Sequence, residues 1–418
     1  MKVAYFLLLL HLMLIFIPQV HAPVTLSMTI NTSKPSYSTG ENISIYGNLT
    51  RNGAPFTGLV ALQVNDPIEN TVILRTLKTG SAPEIGQIQI LDFYSSDSAG
   101  NPKTTFRKAE HMHFNITAYN NSTSSLSVLL IANAYDADNS TLGLSIGFNG
   151  EILGKSAIKF YPSFYVPEEA PTGNATAYAS AFTGWPVVQG TPYCLEKSAS
   201  FQITEAEGGS GLQTQTHVIS QIQSSNSIGT YDFTFKLLGK EKLGTYRAYV
   251  TSSYGAEKAY SETTFQVNGW RAVAYGNTYI IQPQSNSYLT NFKFNETFIE
   301  DSWKGQLSFD VIIPTGSGYC NLTIPKNLTK GIPPTPSWRV RRDGSDITGS
   351  ANIWDNETHT FIYFTYSQGS HTIDISGTWV VPEFPDFMIL LIITMAILAA
   401  AIIGKKASST RQKNKFNI

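Results

Sequence analysis

Short runs of alternating polar and apolar residues, separated by turn residues, constrain this chain more than any other feature. Residues 231–237 alternate aromatic or aliphatic side chains with polar ones, which is the two-residue period of a half-buried strand. No stretch between the two ends of the chain keeps the 3.6-residue apolar period of a capped helix. Asn52-Gly53, Asn149-Gly150 and Asp343-Gly344 mark tight turns between the runs. The pattern predicts an all-β fold of antiparallel β-sandwich domains.

The carboxyl-terminal end has the pattern of a membrane anchor. Residues 387–403 carry no charge, and as a helix they would rise about 25 Å, the short end of what crosses a bilayer. Basic residues follow at Lys405, Lys406, Arg411, Lys413 and Lys415. Because basic residues beside a span stay in the cytoplasm, we expect a spacer and transmembrane helix over 382–404 and a cytoplasmic tail over 405–418. The chain would then cross the cell membrane once, with its body extracellular.

The amino-terminal end has the order of a secretory signal. Lys2 precedes a mostly apolar stretch over 3–17, which is followed by Pro18 and the small residue Ala22. This order predicts a signal peptide over 1–22. Pro23 would directly follow the cut and hinder it, so removal of the peptide stays open.

The charge of the body argues against nucleic acid as a partner. The chain has 29 basic and 30 acidic residues. Without Lys2 and the five basic residues of the tail, 23 basic residues face 30 acidic ones. A body with an acidic excess has no basic surface for nucleic acid, so the expected partners are the membrane, surface glycans, other surface proteins or further copies of this chain.

Asn-X-Ser/Thr sequons recur along the body. They begin at Asn31, Asn42, Asn48, Asn115, Asn120, Asn121, Asn139, Asn174, Asn295, Asn321, Asn327 and Asn356. Ile43, Ile45 and Leu49 would share one face of a strand, which leaves Asn42 and Asn48 on the other. The same alternation predicts that Asn115 and Asn321 face outward. Since a glycan needs room in solvent, we expect several of these asparagines to be glycosylated.

The start of the body carries a set of recognisable motifs. They are Lys34-Pro35-Ser36-Tyr37, Gly40-Glu41, Ile43-Ser44-Ile45-Tyr46-Gly47, Asn52-Gly53-Ala54-Pro55 and Val60-Ala61-Leu62-Gln63-Val64. This segment resembles immunoglobulin-like and macroglobulin-like surface modules, which implies a sandwich but no particular activity. Residues 23–84 are too few for such a sandwich of about 100 residues. Strand patterns over 231–237, 244–251 and 263–267 supply closing strands, so we expect one split domain over 23–84 and 206–268.

Residues 85–205 form a second pattern of their own. Strands are predicted over 113–119, 124–135 and 200–204. With Thr191-Pro192-Tyr193-Cys194 and Ala199-Ser200-Phe201-Gln202-Ile203, the stretch resembles adhesion-type, fibronectin-like sandwiches of archaeal and bacterial surfaces. We expect this domain to be inserted into a loop of the first, because inserts with adjacent termini are tolerated there. Domains in series are the alternative.

Residues 269–381 predict a third, membrane-proximal sandwich, since about 360 exposed residues suit three domains. Its strands over 358–366 and 371–378 are expected to form a hairpin. The following Val381-Pro382-Glu383-Phe384-Pro385 resembles the PEF-CTERM sorting tail of archaeal surface proteins. The resemblance implies a sorting signature at Pro382, Glu383, Phe384 and Pro385, near which a membrane protease-transferase would cut. A plain anchor with a stiff proline spacer is the alternative.

Metal-binding candidates have plainer explanations. His111 and His113 are two apart on a predicted strand, where we expect both to face solvent. The predicted hairpin would hold His359 and His371 about 20 Å apart. Asp136-Ala137-Asp138-Asn139 could offer oxygens to calcium, but these are also ordinary turn residues. No metal site is predicted.

Catalytic candidates also fall short. Cys194-Leu195-Glu196-Lys197 resembles the macroglobulin thioester motif Cys-Gly-Glu-Gln, but the amine of Lys197 cannot replace the glutamine carbonyl. Cys194 and Cys320 lie in different predicted domains, and we expect no disulfide between them. The sequence lacks a Gly-X-Ser-X-Gly elbow, a Walker loop and a His-Glu-X-X-His motif. The interpretation is a protein without catalytic residues or cofactor.

These features predict an extracellular glycoprotein of cell-surface structure or adhesion. Sandwich loops would bind the partner, above all in the inserted domain, where Tyr178, Phe182, Trp185 and Tyr193 lie near turns. Core packing is the plainer role for these aromatics. The alternative function is an accessory or substrate-capturing subunit of a surface enzyme or transporter.

Overall fold

The computed structural model describes residues 25–81, 86–168, 170–205, 227–238, 241–274, 276–299, 302–313, 315–329, 338–377 and 394–395. The predicted signal peptide, the signature at 382–385 and the basic tail lie outside the described residues, as does the predicted span apart from Thr394 and Met395. Within the described residues, no helix has the length and apolarity that a membrane crossing requires.

The described residues form 27 strands and two single-turn 3-10 helices, Pro186–Val188 and Thr348–Ser350. The strands are β1 (Leu26–Thr32), β2 (Ser36–Ser38), β3 (Ile43–Arg51), β4 (Ala54–Pro55), β5 (Gly58–Asn65), β6 (Thr71–Thr79), β7 (Ile88–Ser96), β8 (Thr105–Arg107), β9 (His111–Asn120), β10 (Leu126–Asp136), β11 (Thr141–Ile152), β12 (Ala157–Phe160), β13 (Ser163–Tyr165), β14 (Gly173–Phe182), β15 (Lys197–Thr204), β16 (Thr230–Phe235), β17 (Gly244–Tyr254), β18 (Glu257–Ala274), β19 (Asn277–Ser285), β20 (Tyr288–Ile299), β21 (Ser302–Ile313), β22 (Gly318–Pro325), β23 (Arg339–Arg342), β24 (Ser345–Asp346), β25 (Asn352–Asp355), β26 (His359–Tyr366) and β27 (Gly369–Gly377). The all-β prediction is confirmed for this part of the chain.

The chain divides into two compact units. The first takes the described parts of Met1–Pro35, Asn42–Leu238 and Thr245–Gln266. The second takes Ser36–Glu41 and the described parts of Gly239–Gly244 and Val267–Ile418. Strand β18 has residues in both.

The first sandwich of unit one joins strands that are distant in sequence. One sheet has the order β1-β3-β16, and in the other β17 pairs with β5 and β5 with β6. Strands β16 and β17 follow β15 in the chain, yet they pair with β3 and β5. The sheets meet through aromatic rings: Phe235 of β16 contacts Phe265 edge-on at 6.5 Å, and Phe265 stacks on Tyr246 at 5.4 Å.

The second sandwich of unit one uses the strands between β6 and β16. One sheet has the order β11-β10-β14-β15-β8, in which only β15 and β8 run parallel; in the other, β9 pairs with β7, β12 and β13. Phe114 of β9 lies 5.3 Å from Phe93 and 6.2 Å from Phe201 between ring centroids. These rings fill the space between the two sheets.

The two sandwiches of unit one share an apolar junction. Ala61 and Leu74 of the first sandwich pack with Leu129, Ile131 and Phe182 of the second, and all five are buried. Strand β10 is therefore buried on both faces over residues 128–136, in place of the alternating exposure of a surface strand.

Unit two is built on a core of its own. The sheets β19-β22-β26-β25 and β20-β21-β27-β23-β24 face each other. Trp270 is fully buried between them and stacks on Phe292 at 4.7 Å, with Phe309 also at 4.7 Å. This aromatic cluster anchors the end of β18 in the core.

The predicted hairpin in unit two is wrong. Strand β26 pairs with β22 and β25, whereas β27 pairs with β21 and β23, so the two strands lie in opposite sheets. Phe364 of β26 and Ile373 of β27 are both buried, because each strand turns its apolar face to the same core. The connection after Tyr366 crosses between the two sheets, and His371 pairs with Val311 of β21. The His371 Nδ1 lies 2.7 Å from Asp343 Oδ2.

Candidate functional site

A cleft of about 590 Å³ opens in unit one where its two sandwiches meet. The tip of the β5–β6 hairpin, strand β11 and the segment over 185–187 form its walls. The lining residues are Gln63, Asn65, Glu69, Asn70, Thr71, Leu144, Ser145, Ile146, Trp185 and Val187. The volume is within the range of small-molecule sites. This cleft is the candidate functional site.

The β5–β6 turn fixes one rim of the cleft. The backbone N–H of Asp66 donates to the carbonyl of Asn70 at 2.8 Å, and Asp66 Oδ1 accepts the N–H groups of Ile68 and Asn70 at 3.0 and 2.8 Å. Glu69 adopts the left-handed conformation at φ 66°, as the five-residue turn requires. The turn therefore holds Glu69 and Asn70 at the mouth of the cleft.

A buried amide network forms the floor. Gln63 is 1% exposed, and its Nε2 donates to Asn65 Oδ1 at 2.8 Å and to Thr71 Oγ1 at 3.0 Å. Asn65 Nδ2 donates to Glu69 Oε2 at 3.2 Å. The network therefore connects the Glu69 carboxylate at the rim to the buried amides of the floor.

The opposite rim comes from the Trp185 segment of the second sandwich. The backbone N–H of Val187 donates to Gln63 Oε1 at 3.1 Å, which connects this rim to the floor. The N–H of Gly190 closes the segment onto the Trp185 carbonyl at 2.9 Å. A Cβ at Gly190 would lie 2.0 Å from the Gly184 carbonyl oxygen, so only glycine fits there. Trp185 itself is partly exposed and packs against the apolar junction.

A buried ion pair connects the two sandwiches. Arg75 of β6 donates from Nε to Glu196 Oε2 at 2.9 Å and from Nη2 to Glu196 Oε1, and both side chains are buried. The guanidinium carbon lies 3.6 Å from the ring centroid of Tyr178, 4.9 Å from that of Phe233 and 5.0 Å from that of Tyr135. Burial alone would lower the pKa of Arg75, but the Glu196 carboxylate raises it above its ordinary value. Arg75 is therefore always a cation.

Side chains of the second sandwich also accept backbone N–H groups of β6, which is the last strand of its sheet. Asn133 Oδ1 accepts the backbone N–H of Leu74 at 3.1 Å, and Glu196 Oε2 accepts that of Thr76 at 3.3 Å. An edge strand normally leaves such groups to solvent or to another chain. With the ion pair and the junction, these bonds hold the walls of the cleft in one arrangement.

The predicted binding aromatics divide between core and cleft. Tyr178 and Phe182 are 8% and 0% exposed, as core packing requires. Tyr193 is partly buried, and its hydroxyl donates to the Ser127 carbonyl at 2.9 Å. Only Trp185 of the four lines the cleft.

The metal candidates are not brought together. Among the described residues, no three His, Cys, Asp or Glu side chains are placed to hold a metal ion. His111 is exposed and His113 half-buried. His359 Nδ1 lies 2.8 Å from the hydroxyl of Thr358. His371 pairs with Asp343 instead.

The calcium candidate Asp136 caps its own turn. Its Oδ1 accepts the N–H groups of Asp138 and Ser140 at 2.9 and 2.8 Å. Its Oδ2 is buried without a hydrogen-bond partner, and burial raises the pKa of Asp136. The carboxylate faces its own backbone, as turn residues do.

The cysteine motif is structural. Cys194 and Cys320 are both free and buried. Glu196, two residues after Cys194, accepts hydrogen bonds from Arg75, and Lys197 Nζ donates to the Leu91 carbonyl.

The sequons differ in exposure. Those whose asparagine is exposed are Asn31, Asn42, Asn48, Asn121, Asn295, Asn327 and Asn356, whereas Asn139, Asn174 and Asn321 are half-buried. The expected outward position of Asn115 is wrong: it is 4% exposed, and its Nδ2 donates to the hydroxyl of Tyr94, its cross-strand neighbour on β7, at 2.8 Å. Asn120 is 0% exposed, and its Nδ2 donates to the carbonyls of Ser124 and Ile152.

Sequence reasoning missed the floor of the cleft. Gln63 and Asn65 belong to the run Val60-Ala61-Leu62-Gln63-Val64-Asn65, which predicts a strand only. The available signal was a pair of amides inside an apolar strand, since buried amides need partners. Val187, which donates to Gln63, is 124 residues away from it and cannot be inferred from local pattern.

A second pocket in unit one is less suited to a ligand. Its lining includes Lys103, Lys108 and Glu110. Lys103 pairs with Glu110, and Lys108 pairs with Glu205 at 3.0 Å. Two of the three cations of its lining, which also includes Arg107, are thus paired with carboxylates of the protein.

Comparisons with known proteins give distant likenesses. No protein-family model and no curated protein matches the chain. The C-terminal domain of Wzt is 14% identical at a TM-score of 0.26, over 33% of this chain and 87% of that domain. A mutant alpha-2-macroglobulin from Salmonella is 11% identical at a TM-score of 0.20, over 84% of this chain and 28% of that one. Trypsin-activated alpha-2-macroglobulin from Escherichia coli is 8% identical at 0.19, over 82% and 29%. The chain spans under a third of these macroglobulins, and TM-scores this low carry no conclusion about its activity.

Proposed function

We propose that this chain is a membrane-anchored extracellular glycoprotein that acts in cell-surface structure or adhesion, without catalysis, by holding a partner in the cleft of unit one. The observation that carries the proposal is the preformed cleft itself. Its two walls belong to different sandwiches, and the buried ion pair between Arg75 and Glu196 joins those sandwiches. A site that is rigid before binding loses little conformational freedom on binding.

The outer surface of the first sandwich supports display in an extracellular medium. Asn31 of β1 and Asn48 of β3 are exposed on the same face of their sheet, with Asn42 just before β3. Glycans at these positions would stand away from the core and from the cleft-forming strands β5 and β6. The apolar segment over 387–403 and the basic residues after it are the sequence basis for the anchor.

Protease added to intact cells tests the display. The full chain in its native membrane should be cut within residues 25–377, while cytosolic proteins stay whole. If that region resists the protease until the cells are lysed, and a cytosolic reporter fused to it is active, the proposal fails.

Cross-linking in native membranes separates adhesion from the alternative of an accessory subunit. A surface enzyme or transporter that copurifies in fixed ratio with the full chain would favour the alternative. Self-association, or linkage to partners on other cells, would favour structure or adhesion.

A further inference from the structure

We propose that the cleft of unit one binds a neutral saccharide, with one sugar ring lying against Trp185. The inference rests on the proposed function because it takes this cleft as the binding site. It adds the chemical class of the ligand.

The charge of the lining excludes strongly anionic ligands. The lining contains no lysine and no arginine. Its one charged side chain is Glu69, whose Oε1 lies 3.4 Å from Nε of Arg247. A phosphate, sulfate or sialic acid would approach the Glu69 carboxylate, and the cation beside it, Arg247, is already paired with that carboxylate. A neutral ligand avoids that repulsion.

The polar groups of the lining suit hydroxyl groups. Each sugar hydroxyl both donates and accepts, and amide, carboxylate and hydroxyl side chains complement it from either side. Glu69 and Asn70 lie at one rim and Ser145 adds a hydroxyl, whereas the Thr71 hydroxyl is bonded to Gln63 and Asn65 of the floor. Gln63 and Asn65 are almost fully buried beneath them. Their hydrogen bonds to Thr71 and Glu69 hold these two side chains in place.

The apolar groups of the lining suit the other face of a sugar. A pyranose ring has a face of C–H groups, which packs on aromatic rings because such rings offer a large apolar surface with a negative face. Trp185 is partly exposed, and Val187 and Ile146 are 38% and 52% exposed beside the cleft. The cleft of about 590 Å³ has room for a short oligosaccharide.

An extended peptide is the competing ligand. It would pair with the backbone of β11, the edge strand of its sheet that supplies Ser145 and Ile146. Main-chain pairing would need none of the buried amides of the floor. The buried amides of the floor support polar groups at the rim, and this favours the saccharide.

The test uses the full chain in detergent on an array of oligosaccharides. Neutral sets built from glucose, galactose, mannose and N-acetylglucosamine stand beside sialylated and sulfated sets. We expect binding to members of the neutral set. Ile146→Arg, which places a long cation at the mouth from an exposed position, should weaken it at least about tenfold. Leu153→Arg is the matched control, because Leu153 is 68% exposed and outside the cleft; it should bind as the parent does.

Substitutions of Trp185 test the ring contact separately. Trp185→Tyr keeps an aromatic face and should retain most of the binding, whereas Trp185→Leu keeps apolar bulk and should lose it. The inference is overturned if no neutral glycan binds, if the anionic sets bind better, if Ile146→Arg binds as the parent does, or if unglycosylated peptides displace the bound glycan. If the chain is displayed on cells but fails these binding tests, only the saccharide proposal is overturned. If it binds glycans but stays inside the cell, only the proposed function is overturned.

Discussion

Arg75 and Glu196 form a doubly hydrogen-bonded ion pair with side chains only 2% and 5% exposed, and it joins the two sandwiches of unit one. Three aromatic rings surround the guanidinium. A charge buried this deeply depends on its partner, because the low-dielectric interior penalises it when alone.

Glu196→Gln should therefore destabilise the protein strongly. The guanidinium stays charged and buried without its counter-ion, and such losses cost about 3–5 kcal/mol of unfolding free energy. Urea unfolding of the full chain in detergent measures the change. The double variant Arg75→Met with Glu196→Leu removes both charges and should be far milder. Glu257→Gln breaks the solvent-accessible pair with Arg51 and is the matched control, with a much smaller effect. Equal losses in the two single variants would contradict the argument.

Three turns of unit one share one hydrogen-bond pattern, and the third lacks the asparagine that the first two have as their fifth residue. Asp66, Asp97 and Asp136 each donate their N–H to the carbonyl four residues on, and each Oδ1 accepts two N–H groups of its own turn. Asn70 and Asn101 then donate Nδ2 to the second oxygen of their aspartates. The third turn has Ser140 at this place, and the Asp136 Oδ2 is left without a partner.

Ser140→Asn should supply the missing hydrogen bond and add about 1 kcal/mol of stability at neutral pH. Burial raises the folded pKa of Asp136, so its contribution to stability is present below the unfolded value of about 3.9 and is lost as pH rises through the folded value. An amide that donates to Oδ2 favours the charged carboxylate. It should therefore lower the folded pKa of Asp136 and reduce the stability lost as pH rises. Unfolding across the acid range measures both. Asn101→Ser is the reverse exchange and should raise the pKa of Asp97, which its bond to Asn101 now lowers. An unchanged Asp136 titration would refute the shared hydrogen-bond pattern.

The two thiols should be inert in the folded protein. Burial raises the pKa of Cys194 to about 11, and burial raises that of Cys320 as well. Since the thiolate is the reactive form, alkylation by iodoacetamide near pH 8 should be at least about a hundredfold slower than in guanidinium chloride. Mass spectrometry of the alkylated chain gives both rates. A disulfide between the two residues under non-reducing conditions would contradict the free thiols.

Local pattern predicts the faces of single strands and little beyond them. Ile43 and Ile45 are fully buried and Asn48 is exposed, as the alternation indicates. The alternation fails at Asn115 because Tyr94 of the neighbouring strand covers the outer face there, which is a tertiary contact. For β26 and β27, a short connection between alternating strands is equally compatible with a hairpin and with a crossing between layers. The cleft could not be predicted from local pattern for the same reason, because its rims come together only when the two sandwiches pack.

Occupancy of the overlapping sequons at Asn120 and Asn121 tests the link between burial and glycosylation. A glycan attaches at Nδ2, and Asn120 uses this atom for two bonds of 2.8 Å to backbone carbonyls, whereas Asn121 is exposed. Mass spectrometry of the chain from its native cells should find a glycan on Asn121 and none on Asn120.

Thr123→Ala turns this pair of sites into an internal control. It destroys the Asn121 sequon and leaves that of Asn120, which ends at Ser122. The glycan should disappear from the peptide, because modification of Asn120 would break hydrogen bonds that close the β10–β11 end of the second sandwich, while Asn48 keeps its own. A glycan that moves to Asn120 in this variant would show that attachment precedes folding and that burial does not govern which sequons are used.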